Sequence, residues 1–184
     1  MTHHRLTIKA TSTNDEMCRR WITGLKTDWH LARCSLSISD GVLRSYGTPI
    51  ASRWPDQKIV LITSRSYTPT TIKHRSCAHK YAGFAHYKVF YVPDLTPANN
   101  HRSNLDHFAE RQAKMVEMMG GARFLKTFSH YRDHFECLRQ ITGDYCRAFD
   151  LAVPTIFTAP LGDLLSSKHP PKTVAKLVAW RLAA

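Results

Sequence analysis

From Leu31 the apolar residues fall into a period of two, and this alternation restricts the fold more than any other feature of the chain. Ala32, Cys34, Leu36 and Ile38 alternate with Arg33, Ser35, Ser37 and Ser39, the pattern of a strand with one face buried. Asp40-Gly41 follows, a two-residue hairpin signal. A second strand is expected from Val42 to about Ala51. Trp54-Pro55-Asp56-Gln57 reads as a turn. Lys58 to Thr63 is apolar through its middle, as in a strand covered on both faces. These three strands predict an antiparallel meander. Residues 87–92, YKVFYV, add a fourth strand.

Helices are expected around this sheet. One runs from about Asn14 to Leu25, with Met17 and Trp21 on one face, and HRLTIK (residues 4–9) before it reads as a short strand. Pro69 holds Thr68 extended, so Thr70 or Thr71 is expected to cap a helix reaching Tyr81, with Gly83 as its stop. After the Pro93–Asn100 loop the pattern is helical. One helix is predicted over Asn104–Met119 and a longer one beyond Gly120-Gly121. In the latter, Phe124, Phe128, Tyr131, Phe135, Leu138, Thr142, Tyr145 and Phe149 recur at alternating steps of four and three, a continuous seam suited to intramolecular packing. Short helices over Leu161–Ser166 and Lys172–Leu182 complete the reading. The fold class is α+β: a small, mostly antiparallel sheet with a capped basic helix, and a helical C-terminal half. The expected division is a basic hairpin-helix domain over 1–95 and a helical region over 96–184, packed on it as one globular unit.

Charge narrows the function. Twenty-six Lys and Arg face fourteen Asp and Glu, a net charge of +12, which favours a polyanionic partner such as DNA or RNA. Residues 44–92 concentrate the imbalance: eight Lys and Arg against Asp56 alone. A helix N-terminus near Thr70 presents free amides and the positive end of the dipole to a phosphate. Arg44, Arg65, Lys73, His74, Arg75 and Lys80 are therefore the expected backbone-gripping residues. Thr70 and Thr71 supply hydroxyls, and Tyr46 and Tyr67 supply rings for stacked bases. The ordinary alternative has the threonines as caps, the tyrosines at the core edge and the cations on a solvated face.

Other chemistry finds less support. His74 with Lys73 is the candidate pair for a small metal-independent nuclease, but His74 and His79 are offset by roughly 140° on a helix, a poor geometry for paired acid–base work. His130, His134 and Cys137 share a helix face and are candidate zinc ligands, but a structural site needs a fourth, and none is evident. No two-metal carboxylate cluster and no phosphate-cradling or dinucleotide motif is present. A non-enzymatic protein without a cofactor or a metal is the expectation. Five cysteines with no CxxC pair argue against a disulfide framework and for a reducing, cytoplasmic setting. No run approaches the ~20 apolar residues of a membrane span.

The pairing of SYGTPIA (Ser45–Ala51) with SYTPTTIKHR (Ser66–Arg75) resembles an uncharacterised domain family of bacteriophage, plasmid and bacterial proteins, with a pattern near S-Y-x-T-x-I-A followed by Y-S-x-T-T-x-K-H. Tyr46, Thr48, Ile50, Ala51, Tyr67, Thr70, Thr71, Lys73 and His74 carry the match. Thr68, Pro69 and Ile72 depart from it. The resemblance implies a mobile-element origin and no particular activity. Two further readings stand beside nucleic-acid binding: a phage accessory or host-takeover protein that binds an acidic host protein through the same surface, and the small nuclease.

Overall fold

The computed structural model describes residues 13–24, 29–30, 35–65, 67–97 and 100–168. The chain forms two compact units, Met1–His101 and Arg102–Ala184. The architecture is α+β. The expected strand over residues 4–9 and helix over 172–182 lie outside the described residues.

In the N-terminal unit α1 (Thr13–Thr23) precedes a sheet of β1 (Trp29–His30), β2 (Leu36–Ser39), β3 (Val42–Ser45), β4 (Thr48–Trp54), β5 (Ile59–Thr63) and β6 (Lys88–Val92). The spatial order equals the chain order. Neighbours from β1 to β5 pair antiparallel, and β6 joins β5 parallel. A parallel neighbour requires a crossover. Helix α2 (Pro69–Phe84) supplies it, so the meander ends in a β5-α2-β6 unit. All five side chains of β5 are buried, in keeping with its continuous apolar run.

The Asp40-Gly41 hairpin forms, with φ of 51° and 74°, the doubly positive geometry of a type I′ turn. The strand expected over Val42–Ala51 is instead two strands. Tyr46 and Gly47 also have positive φ, 49° and 81°, and make a second tight turn, with Ser45 opposite Thr48. The β3–β4 register then slips between Leu43–Ala51 and Arg44–Pro49, leaving Ile50 as the extra residue of a bulge. Pro49 has no N–H to give a ladder, and a bulge is where proline is tolerated.

Thr68, not Thr70 or Thr71, is the N-cap of α2. Its side chain accepts from the Thr71 amide, and Pro69 takes the first helical position, where its missing N–H costs nothing. The helix also runs through Gly83 to Phe84. Its apolar side packs with α1 on the sheet. Met17, Trp21 and Ile22 meet Ala78, Tyr81 and Ala82 over Leu43, Ile50, Val60 and Ile62. Trp21 Nε1 donates to Gly41 O at 2.8 Å, fastening α1 to the first hairpin.

The C-terminal unit contains α3 (Arg102–Gly120), α4 (Leu125–Ala148), a 3-10 turn (Thr155–Phe157) and α5 (Leu161–Lys168). Helices α3 and α4 form an antiparallel hairpin. Val116 and Met119 near the end of α3 pack with Phe128 and Phe135 of α4, and Asn104 at its start donates to the Tyr145 hydroxyl at 2.8 Å. The aromatic seam is buried at Phe128, Phe135, Leu138, Thr142 and Tyr145, while Phe124 stands 72% exposed.

Candidate nucleic-acid interface

On α2, Thr71, His74, Ala78 and Tyr81 are buried, at steps of three, four and three, the spacing of a core-facing stripe. His74 therefore occupies a position that an apolar residue usually fills. Only 2% of it is exposed. The imidazole is fully engaged: Nδ1 lies 2.8 Å from Ser45 Oγ, and Nε2 lies 3.2 Å from Asn14 Nδ2 and 3.3 Å from Ser35 Oγ. The Asn14 amide nitrogen can only donate, so Nε2 accepts. The ring proton then sits on Nδ1 and is donated to Ser45 Oγ. The hydroxyl chain continues to Thr71 Oγ1 at 3.4 Å and from there to Thr68 Oγ1 at 3.3 Å. Burial lowers the His74 pKa, because the charged form would be taken out of water and would lose the bond from Asn14.

This cluster explains the sequence motif and corrects its reading. Ser45, Thr71 and His74 form an internal polar pin that joins the first turns of α2 to the β3–β4 turn and to the start of α1. His74 and Thr71 are not backbone-gripping side chains, since neither faces solvent. The 2.8 Å Ser45–His74 contact has the distance of a nucleophile–base pair. However, Ser45 is 1% exposed, and with the proton already on Nδ1 the ring does not take one from the Ser45 hydroxyl. Lys73 and His74, the candidate nuclease pair, both border one cleft, but Lys73 is exposed and His74 is almost wholly buried.

The remaining expected contacts separate by how tightly they are held. Lys80 Nζ pairs with Asp15 Oδ1 at 3.1 Å. Arg75 lies over the Tyr91 ring at 5.5 Å and donates to the Arg65 carbonyl at 2.8 Å. Arg44 donates to Gly47 O at 3.2 Å. Arg65 and Lys73 are exposed, and among the described residues neither has a carboxylate partner. Thr70 is exposed beside them at the start of α2, whereas Tyr67 is only half-exposed. Tyr46 is 69% exposed. Its backbone is fixed by a 2.8 Å amide bond to Ser35 O, and its ring sits 6.0 Å from the His74 ring. The buried pin thus holds the exposed Tyr46 against the first turns of α2.

A shallow cleft of about 380 Å³ opens alongside, lined by Asp15, Thr70, Lys73 and Lys80 and bordered also by Asn14 and the nearly buried His74. Its charge is mixed. Burial, helped by Asp15, pushes the Tyr81 hydroxyl up to about 12, and Asp15 also accepts a long contact from Cys77 Sγ at 3.5 Å. Sequence reasoning missed Asn14, Ser35 and Ser45 as partners of His74. The signal that was present is the stripe spacing of Thr71, His74, Ala78 and Tyr81, which marks the histidine as inward-facing.

In the C-terminal unit, His130 and His134 are exposed on α4 with ring centroids 4.4 Å apart. Cys137 is exposed too, but it does not join them: among the described residues no group of three or more His, Cys, Asp or Glu is placed to hold a metal ion. No helix among the described residues is long and apolar enough to cross a membrane.

These features define a basic α+β unit with an exposed tyrosine and a cationic helix start braced by a buried histidine. No protein-family model, curated protein or solved structure matches the chain.

Proposed function

We propose that the N-terminal unit binds nucleic acid through its phosphate backbone, without catalysing a reaction on it. The observation that carries this reading is the placement of Tyr46, exposed and fixed at a tight turn, beside a helix start whose nearby cations, Arg65 and Lys73, have no carboxylate partner among the described residues. The net charge of +12 supports it, since a surplus of Lys and Arg releases counterions from a polyanion. In the proposed contact Arg65 and Lys73 meet phosphates. The Thr70 hydroxyl, exposed at the positive end of α2, donates to a phosphate oxygen. Tyr46 offers its ring to one unpaired base, so single strands bind more tightly than duplexes. His74, Ser45 and Thr71 contribute by holding that arrangement rigid.

Fluorescence anisotropy with labelled single-stranded DNA, duplex DNA and RNA oligonucleotides tests the reading. Binding of at least one of them is expected at ~50 mM salt, where counterion release favours electrostatic association. The absence of binding by all three at that salt would contradict it.

A further inference from the structure

A second site lies in the C-terminal unit and is independent of the nucleic-acid reading. Helices α3 and α4 enclose a cleft of about 210 Å³, and its lining includes Arg111, Met115 and Met118 from α3 and His130 and His134 from α4. His130 and His134 are one turn apart, so they project from the same side of α4. Their rings meet edge to face, with centroids 4.4 Å apart and planes at 80°. Met115 and Met118 are half-buried and bring two thioether sulfurs to the same cleft.

We propose that this cleft binds a soft univalent d10 metal ion, copper(I) or its analogue silver(I), through the two imidazoles and the methionine thioethers. Three features support the assignment. The candidate donors are nitrogen and sulfur, the ligand types that soft ions prefer. No carboxylate lines the cleft, so hard cations such as magnesium and calcium, which need oxygen ligands, gain nothing there. None of the four candidate donors is anionic, and Arg111 adds a positive charge at the same cleft. A univalent ion therefore meets less repulsion than a divalent one.

The test is a titration of the full chain with silver nitrate in chloride-free buffer, followed by NMR of 13C-methyl-labelled methionine and of the imidazole rings. Residue-resolved signals separate this site from silver held by the cysteine thiols. The methyl signals of Met115 and Met118 and the ring signals of His130 and His134 are expected to move together and saturate with a single bound ion. His134→Ala should weaken that binding at least about tenfold, since even outer-shell changes cost 10–100-fold in metal affinity. Met115→Leu with Met118→Leu, close in volume and so compatible with the fold, should weaken it likewise. Magnesium should move neither set. Ring shifts without methyl shifts, or methyl shifts that survive His134→Ala, would overturn the proposal.

Discussion

Replacing His74 with alanine should destabilise the N-terminal unit far more than it alters the surface. The imidazole is 2% exposed and has three polar neighbours: Ser45 at 2.8 Å, Asn14 at 3.2 Å and Ser35 at 3.3 Å. Its removal leaves a cavity beneath α2 and leaves the Ser45 hydroxyl, itself 1% exposed, with only its long 3.4 Å contact to Thr71. Truncating a buried ring to alanine costs up to 3–5 kcal/mol, and an orphaned buried polar group costs about 1–3 kcal/mol. Imidazole is smaller and more polar than phenyl, and Asn14 and Ser35 can reach water through the space left behind. A net loss of about 3 kcal/mol follows. With a urea slope of about 2 kcal/mol per molar, the unfolding midpoint should drop by roughly 1.5 M. Tryptophan fluorescence reports it, since buried Trp21 and neighbouring Trp54 both belong to this unit. Lys73→Ala, one residue away but exposed, should stay within about 0.5 kcal/mol of the native chain. A His74→Ala midpoint within about 0.3 M of native, well inside the shift worked out above, would refute the internal-pin assignment and return the histidine to the surface.

Acid should weaken this unit over two pH windows. The His74 pKa is lowered by burial from its ordinary 6.5, so below that pH the unfolded chain takes up a proton that the folded one refuses, and stability falls with pH. Glu16 is lowered from 4.5 to about 2, chiefly by its hydrogen bond from Arg19 and further by Arg20. Its contribution is full above pH 4.5 and is lost as the pH falls toward about 2; Glu16→Gln should flatten that lower window in a urea-midpoint series. Gly47→Val should cost about 1 kcal/mol or more, because φ at Gly47 is +81°, a conformation that a β-branched residue resists; thermal unfolding measures it. Tyr46→Ala should leave stability within about 0.5 kcal/mol yet weaken single-strand binding by about 1–3 kcal/mol, read by anisotropy.

The fold class was legible because its signals are local. Alternation over Leu36–Ser39, the Asp40-Gly41 pair and the apolar run of β5 each depend on neighbouring residues, and so does the seam of α4. The Tyr46-Gly47 turn was hidden because its first residue carries a large ring at positive φ, which few non-glycine residues adopt. The Thr68 cap was hidden because three threonines surround Pro69 and each can cap. The candidate site was legible as a region but not residue by residue. Sequence placed the cations, the threonines and His74 on one stretch, but not which of them turn inward. Inward orientation depends on partners 26 to 60 residues away, such as Ser45 with Thr71 and Asn14 with His74. The Lys80–Asp15 pair, 65 residues apart, is of the same kind.

In the proposed contact the exposed cations Arg65 and Lys73 grip a nucleic-acid backbone, while His74 only braces the start of α2. The most direct measurement is the salt dependence of affinity for a single-stranded oligonucleotide, comparing the native chain with a Lys73→Ala, Arg65→Ala double variant. Log affinity should fall linearly with log salt in the native chain. In the double variant that slope should be shallower by roughly 1.4, two phosphate contacts at about 0.7 each for single strands. An unchanged slope in the double variant, or no binding by the native chain at ~50 mM salt, would contradict it.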